Sequence, residues 1–347
     1  MLTALAVIVI FGMLVSVHEL GHFVVAKMAG IRVDEYAIGF GPALLRFQGR
    51  ETLYALRAVP LGGYCRLAGM EPGEAREDLG GRGFNQRPLW QRALVILAGP
   101  AMNLVLAGVL YVIVFGPVGI PSPTTQVATA LRGYPAYSAG IRPGDRILAV
   151  DHRRVTTWTE LQTSILAHDH APITVTVAHG GHVRTVTVAA RYDPAAHERI
   201  IGIEPVMKPT HLPIVSAMGA GVVQTIQLTG LWFSELGRLF VGHGHLDVTG
   251  PVGIAVMVGQ AVQQGWVSLL LLAAALSANL GLFNILPIPV LDGSKLLLMG
   301  MEAIRHRPLD AAKENLINMV GFMVLLAFVL FVTYHDLLRL MSQGVSG

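Results

Sequence analysis

The segment His18-Glu19-Leu20-Gly21-His22 contains residue types that can bind a metal ion and use it. It lies in an apolar stretch that favours a helix, where a spacing of four residues places both imidazoles on one face. Two such imidazoles can share a zinc ion, and Glu19 then lies beside it, able to take a proton from bound water. The motif therefore predicts zinc-dependent hydrolysis. The alternative is a histidine pair satisfied by hydrogen bonds.

A catalytic zinc usually has three protein ligands and keeps one position for water. Asp292 is the candidate third ligand, because it is the only acidic residue between Asp247 and Glu302. Pro287 and Pro289 just before it break the helix, so the chain there is irregular and its backbone groups must line a protein cavity. The alternative is an ordinary loop or helix-terminus carboxylate.

The composition indicates the class of protein that must position these residues. Of 347 residues, 53% are hydrophobic and only 14% are charged, whereas soluble domains carry about 25% charged residues. The net charge is only +3 and there is no long run of Lys or Arg, which argues against nucleic acid as a partner. One cysteine, Cys65, excludes an intramolecular disulfide. The composition predicts a membrane protein.

Four segments have the length and apolarity of transmembrane helices, which need about 20 mostly apolar residues. We predict a polytopic α-helical membrane protein with about four spans, at residues 2–28, 93–115, 266–285 and 316–333. A signal peptide is the alternative for the first span. It would need a basic residue before the apolar run and a small-residue cleavage site after it, and neither is present.

The positive charges predict the orientation of these spans. Two lysines and two arginines lie in the segment between the third and fourth spans, which places that segment in the cytoplasm by the positive-inside rule. Counting back, residues 116–265 are extracytoplasmic and residues 30–92 are cytoplasmic. The N-terminus is then outside, and the metal motif lies near the cytoplasmic side.

A further uncharged stretch, residues 214–233, is also long enough to span. If it alone crossed the membrane, Asp292 would end up opposite the cytoplasmic end of the first helix. We therefore expect a surface amphipathic helix over residues 212–245, with a spanning helix as the alternative.

Residues 122–205 have the pattern of a mainly β module between the second and third spans. The run from Ser138 to Leu148, Ser-Ala-Gly-Ile-Arg-Pro-Gly-Asp-Arg-Ile-Leu, precedes a helical stretch at 158–167. Two alternating runs follow, at 173–178 and 183–188, joined by a His-Gly-Gly-His turn. This resembles a bacterial, protease-associated PDZ domain, which implies capture of peptide C-termini. The alternative is a module that only blocks access by bulk.

Together these features resemble the site-2 protease family of intramembrane zinc metalloproteases, and within it the bacterial branch that performs regulated intramembrane proteolysis. The resemblance covers essentially the whole chain. It implies His18, His22 and Asp292 as ligands of one zinc ion per chain, with Glu19 as general base. Asn284 matches a family asparagine that helps to hold the substrate backbone near the metal.

The resemblance also implies a cytoplasmic, re-entrant, β-hairpin-like sheet over residues 36–70. Its free edge would clamp an extended substrate by backbone pairing, with Gly62 and Gly63 helping to position it. Pro287 and Pro289 are also expected to help to position the substrate. The alternative is a purely structural cytoplasmic hairpin.

Two glycine- and proline-containing segments match family patterns as well, Ala98-Gly-Pro-Ala-Met-Asn103 and Gly250-Pro-Val-Gly-Ile254. For both, tight helix packing and a turn explain the pattern at least as well as direct catalysis does.

The function implied is a zinc metalloendopeptidase of the bacterial plasma (inner) membrane. Its substrates would be single-span membrane proteins in the lipid bilayer, cut within or near the span after a first extracytoplasmic cut, such as anti-sigma factors or signal-peptide remnants. One alternative is a non-proteolytic membrane PDZ scaffold. Another is a metal or ion transporter, which would place ionisable groups along several spans, often with internal repeats.

Overall fold

The computed structural model describes residues 1–70, 79–167, 172–193, 198–240, 249–307 and 310–344. The chain forms two compact units, Met1–Gly116 with Pro213–Gly347, and Pro117–Leu212.

Helices dominate the first unit and strands dominate the second. The described helices are, in chain order, α1 (Leu2–Met28), α2 (Leu89–Ile113), α3 (Pro135–Ser138), α4 (Trp158–Leu166), α5 (Ile214–Phe240), α6 (Pro251–Gln264), α7 (Trp266–Ile285), α8 (Asp292–Arg305) and α9 (Ala311–Gly344). The described strands are β1 (Val33–Gln48), β2 (Leu53–Leu67), β3 (Ile120–Ala130), β4 (Arg146–Val150), β5 (Arg153–Arg154), β6 (Ile173–His179), β7 (His182–Val188), β8 (Arg191–Asp193), β9 (Glu198–Ile200) and β10 (Ile203–Thr210).

In the described part of the chain, five helices are long and apolar enough to cross a membrane: α1, α2, α5, α7 and α9. Four of them correspond to the predicted spans. Helix α2 begins before the predicted segment 93–115, and a π-helical segment, Val114–Val118, follows it directly. Helix α9 extends past the predicted segment 316–333 at both ends, because a helical backbone continues beyond the apolar window into its polar flanks. The fifth is α5, whose surface placement stays a prediction, and residues 241–245 of that predicted helix lie outside the described residues.

Helices α1, α2 and α7 pack closely through small residues. A Cβ on Gly21 would collide with the carbonyl oxygen of Ala98, and one on Gly99 would collide with the ring of His22. The Ser277 hydroxyl donates to the carbonyl oxygen of Asn103 at 2.7 Å and so ties α7 to α2. Small residues and buried hydroxyls of this kind are what apolar helices use to associate. The Ala98–Asn103 segment therefore acts first as a packing surface.

The segment Gly250–Ile254 forms the amino end of α6, where it receives a side chain from α9. The carboxylate of Asp336 is buried and accepts hydrogen bonds from the backbone N–H groups of Gly250, at 3.3 Å, and Gly253, at 2.7 Å. A Cβ on Gly250 would lie 2.7 Å from that carboxylate. A carboxylate at this position satisfies N–H groups that the helix itself leaves unpaired. The motif is a helix cap supplied by another helix.

Strands β1 and β2 form one strongly curved antiparallel pair. Tyr36 pairs with Cys65 on one side and with Tyr54 on the other, so the first half of β1 lies between the two halves of β2. The register shifts around Gly39 and Gly62, whose φ angles of 89° and 124° suit glycine alone. The last stretch of β2 therefore has one strand neighbour and forms a free edge.

The second unit has a sheet of order β10-β3-β4-β6-β7, with β5 beside β4. Its core is made of buried aliphatic side chains such as Ile147, Leu161 and Val175. The helix α4 begins with a capping box between Thr157 and Glu160. The unit is longer than the predicted 122–205 because β3 and β10 pair as far as Ile120 and Thr210. Its assignment as a PDZ domain stays a prediction.

A buried carboxylate organises the loop that carries the Ser-Ala-Gly-Ile-Arg-Pro-Gly-Asp run. Asp145 accepts hydrogen bonds from the Arg142 backbone N–H at 3.0 Å, from Arg184 at 2.8 Å and from His179 Nδ1 at 2.7 Å. Burial by itself raises the pKa of this carboxyl, but the three donors together hold the pKa below its usual value. The charged carboxylate thus joins this loop to β6 and β7.

Candidate metal centre and cavity

Helix α1 places the two histidines of the motif side by side. His18 and His22 are both buried, and their Nε2 atoms lie 3.2 Å apart. The helix is unbroken from Leu2 to Met28, so the four-residue spacing puts both rings on one face, as predicted from the sequence.

Asp292 reaches these histidines from the far end of the chain. It is the first residue of α8, and its Oδ2 lies 3.0 Å from Nε2 of His18 and 3.3 Å from Nε2 of His22. The three donor atoms thus form a triangle with sides of 3.0 to 3.3 Å. Ligands on a tetrahedral zinc, with bonds of about 2.0–2.1 Å, are about 3.3 Å apart, so the triangle has the size that this ion requires.

The hydrogen-bond partners of the two histidine Nδ1 atoms are consistent with a zinc ion bound at the Nε2 atoms. His22 Nδ1 lies 2.8 Å from the carbonyl oxygen of Val95, so it donates its hydrogen there and leaves Nε2 free to bind a metal. Nδ1 of His18 faces the amide of Asn103 at 3.1 Å, and Oδ1 of Asn103 is buried without another partner. With the amide turned by half a rotation, Oδ1 accepts the hydrogen of His18 Nδ1, which leaves Nε2 of His18 free to bind a metal.

The loop before Asp292 is tightly folded. Val290 has a φ angle of 80°, which is unusual for a β-branched residue. A Cβ on Gly293 would collide with the carbonyl oxygens of Ile285 and Leu286 at the end of α7. The Leu-Asp-Gly sequence therefore lets the chain turn back onto α7 while Asp292 faces the histidines.

The other end of α8 is held by a partly buried ion pair. Nη2 of Arg92 in α2 lies 2.6 Å from Oε1 of Glu302 in α8, and Arg92 is only 8% exposed. These residues are 210 positions apart, and no sequence pattern indicated their pairing.

Glu19 lies where β2 approaches α1. A Cβ on Gly63 would lie 3.4 Å from Cγ of Glu19 and 2.8 Å from the carbonyl oxygen of Ala37. The backbone of Cys65 lies near the Glu19 carboxylate. Glycine at position 63 thus avoids a clash with β1, and the free edge of β2 lies close to the proposed base.

These residues surround a cavity of about 390 Å³. His18, Glu19, His22, Asp292 and Asn284 line it, together with Tyr64, Cys65 and Lys295. The other residues predicted to position substrate, Gly62, Gly63, Pro287 and Pro289, are not among the described residues that line it. Pro289 instead packs against Gly321 of α9, and a Cβ on Gly62 would collide with the ring of Phe40.

One wall of the cavity is fixed by a polar cluster in the sheet. Arg57 donates to the hydroxyl of Tyr64 at 2.6 Å, to the carboxylate of Glu35 at 2.5 Å and to the carbonyl oxygen of Gly41 at 2.7 Å. The ring of Phe40 stacks on Tyr64 with centroids 6.4 Å apart. These contacts hold the Tyr64 ring in the cavity wall.

The profile of Peptidase family M50 matches residues 6–328. The chain belongs to this family. A protein of Clostridium acetobutylicum named as a zinc metalloprotease is 35% identical over 95% of both chains. The zinc metalloprotease RasP of Geobacillus kaustophilus is 32% identical, over 95% of this chain and 96% of that one. The regulator of sigma-W protease RasP of Bacillus subtilis is 30% identical, over 97% and 99%.

As a member of the M50 family, the protein is a multi-pass membrane zinc metalloprotease, as the motifs predicted. Among solved structures, the PDZ domain of an SdrC-like protein from Listeria monocytogenes aligns with 25% of this chain and 90% of that domain. The identity is 17% and the TM-score 0.22, too low to establish the fold of residues 117–212.

Proposed function

We propose that the protein is an intramembrane zinc metalloendopeptidase that hydrolyses peptide bonds within or near the spans of single-span membrane proteins. The observation that carries this proposal is the convergence of His18, His22 and Asp292, with donor atoms within 3.3 Å of one another, beside Glu19. The cavity in which they meet lies among helices long and apolar enough to cross a membrane.

Each residue of the site has a role that follows from its chemistry. His18, His22 and Asp292 hold the zinc, which when bound polarises the scissile carbonyl and acidifies water. Glu19 accepts the proton of the attacking water as the oxygen bonds to the carbonyl carbon. It then returns the proton to the amine nitrogen as the C–N bond breaks.

The substrate must be extended when it reaches this cavity, because the carbonyl groups of a helix are hydrogen-bonded within their own turns. The free edge of β2, at residues 63–67, lies beside Glu19 and offers backbone groups for pairing. The side-chain amide of Asn284 lines the same cavity and can hold the substrate backbone. Substrates with helix-weakening residues in their span are therefore expected.

In this proposal the second unit, residues 117–212, controls which substrates reach the cavity. We place it with the N-terminus on the extracytoplasmic side of a bacterial plasma membrane, because the basic residues lie between α7 and α9. There it admits a substrate only after a first cut has removed the substrate's extracytoplasmic domain. It does so either because the remaining fragment is small enough or because the unit recognises the new chain end. The name of the Bacillus subtilis relative, regulator of sigma-W protease, supports a signalling substrate such as an anti-sigma factor.

The test compares the intact protein with Glu19→Gln in detergent, on single-span substrates with and without their extracytoplasmic domain. We expect cleavage within the span by the intact protein alone, with about one zinc ion in both proteins. Glu314→Gln on α9, outside the cavity lining, is the matched control and should cleave normally. Equal cleavage by Glu19→Gln would contradict the proposed general base, and a protein without zinc would contradict the metal site.

A further inference from the structure

The cavity contains a cationic side chain that the proposed mechanism does not use. Lys295 lies three residues after Asp292 on α8, so both side chains project from the same face of that helix. Lys295 is half-buried, and its Nζ lies 3.8 Å from the sulfur of Met70, which also lines the cavity. Among the described residues of the lining, Lys295 is the one lysine or arginine.

Hydrolysis changes the charge of this cavity. Two carboxylates, Glu19 and Asp292, already lie in its wall. Cleavage of a neutral peptide bond by water creates a new carboxylate on the N-terminal fragment and an amine on the C-terminal fragment. The new carboxylate forms next to Glu19, and like charges repel strongly where little water screens them. The ammonium group of Lys295 in the same cavity adds a positive charge to that of the metal ion and offsets this repulsion.

We propose that Lys295 binds the newly formed C-terminal carboxylate of the N-terminal product. The inference rests on the proposed function, because it names the ligand of that same cavity. An ammonium group on a flexible four-carbon stem can follow a carboxylate as it moves away from the metal, and charge-assisted hydrogen bonds are stronger than neutral ones. Met70 cannot take this place, since its thioether carries no charge.

The ligand chemistry can be tested without turnover. The probes are two short apolar peptides of the same sequence, labelled at the N-terminus, one ending in a free carboxylate and the other in an amide. Their affinities for the zinc-loaded full chain are measured by fluorescence anisotropy in detergent. The variants are Lys295→Met, Lys295→Gln and Lys295→Arg, with Lys313→Met, an exposed lysine on α9, as matched control.

We expect the peptide acid to lose about tenfold in affinity in the two neutral variants, while the amide changes by less than about twofold. Lys295→Arg and Lys313→Met should keep the preference for the acid. Zinc content and thermal unfolding are measured on the same samples, so the comparison uses whichever neutral variant retains its metal. An acid-to-amide ratio within about threefold of the parent protein in that variant would overturn the proposal.

The two proposals fail in different ways. If the parent protein cleaves no substrate, the proposed protease function fails, whereas the peptide pair still decides whether Lys295 binds a carboxylate. If the parent protein cleaves substrate but the acid-to-amide ratio does not depend on Lys295, only the role of Lys295 is lost. If the parent protein cleaves substrate and Lys295 binds the carboxylate, the free peptide acid should inhibit cleavage more strongly than the peptide amide. Lys295→Gln should then reduce that difference.

Discussion

The amide of Asn103 in α2 lies 3.1 Å from Nδ1 of His18 in α1, on the opposite side of the ring from Asp292. The ring is thus held from both sides, with Nε2 facing His22 and Asp292. Outer partners of this kind fix the tautomer and the orientation of a metal-binding histidine. The Ala98–Asn103 segment therefore combines close helix packing with support of a proposed ligand.

Replacing Asn103 should weaken metal binding. We expect Asn103→Ala to lower zinc affinity by about 10- to 100-fold, because Nδ1 of His18 loses its buried partner. The measurement is a competition titration with a chelator of known affinity. Asn315→Ala, at an exposed position of α9, is the control and should bind zinc like the parent protein. Unchanged affinity in Asn103→Ala would show that the ring needs no such support.

A larger residue at position 63 should impair cleavage without removing the metal. The methyl group of Gly63→Ala would lie 2.8 Å from the carbonyl oxygen of Ala37, so β2 must shift relative to β1. Because the same methyl group would lie 3.4 Å from Cγ of Glu19, this shift changes how β2 meets the base. We expect cleavage to fall by about tenfold or more, with normal zinc content. Gly219→Ala on α5, where nothing lies within 4 Å, is the matched control. Parental cleavage by Gly63→Ala would show that the close approach of β2 is not required.

The ion pair between α2 and α8 should matter more for stability than an exposed pair does. Glu302→Gln leaves the charge of the buried Arg92 without its partner, which we expect to lower the free energy of unfolding by about 2–3 kcal/mol. Arg82→Met, which removes an exposed partner of Glu51, should cost less than about 1 kcal/mol. Unfolding of both variants in the same detergent gives the comparison. An equal loss of unfolding free energy in the two variants would show that the pair of Arg92 and Glu302 is as exposed to water as that of Arg82 and Glu51.

The second unit should lose stability in acid through Asp145. Its pKa is lowered in the folded chain, so the carboxylate stabilises the fold above the unfolded pKa of about 3.9, and this contribution is lost as the pH falls through the folded pKa. Hydrogen exchange of β6 and β7 in the full chain measures the effect. We expect protection to decrease as the pH falls below about 4 in the parent protein. Asp145→Asn should be less protected at neutral pH and should change less in acid.

Local sequence patterns were sufficient to predict much of the secondary structure of this protein. The four-residue spacing of His18 and His22 was sufficient to predict one shared face of a helix, because the turn of a helix is set by the backbone alone. The apolar segments predicted all five long apolar helices, four as membrane spans and α5 as a surface helix, because a span needs about 20 apolar residues. In the second unit, the alternation over β6 and β7 and the turn between them predicted that hairpin.

Contacts between elements distant in sequence were decided by the tertiary structure. Asp292 was found by elimination, but only packing brings it to His18 across 274 residues. Neither Asn103 behind His18 nor Lys295 in the cavity wall has a local pattern that reveals its neighbour. The close approach of Gly63 to Glu19 also depends on how a curled sheet meets a helix. A sequence pattern specifies which face of an element is apolar or reactive, whereas side-chain packing between elements selects what that face touches.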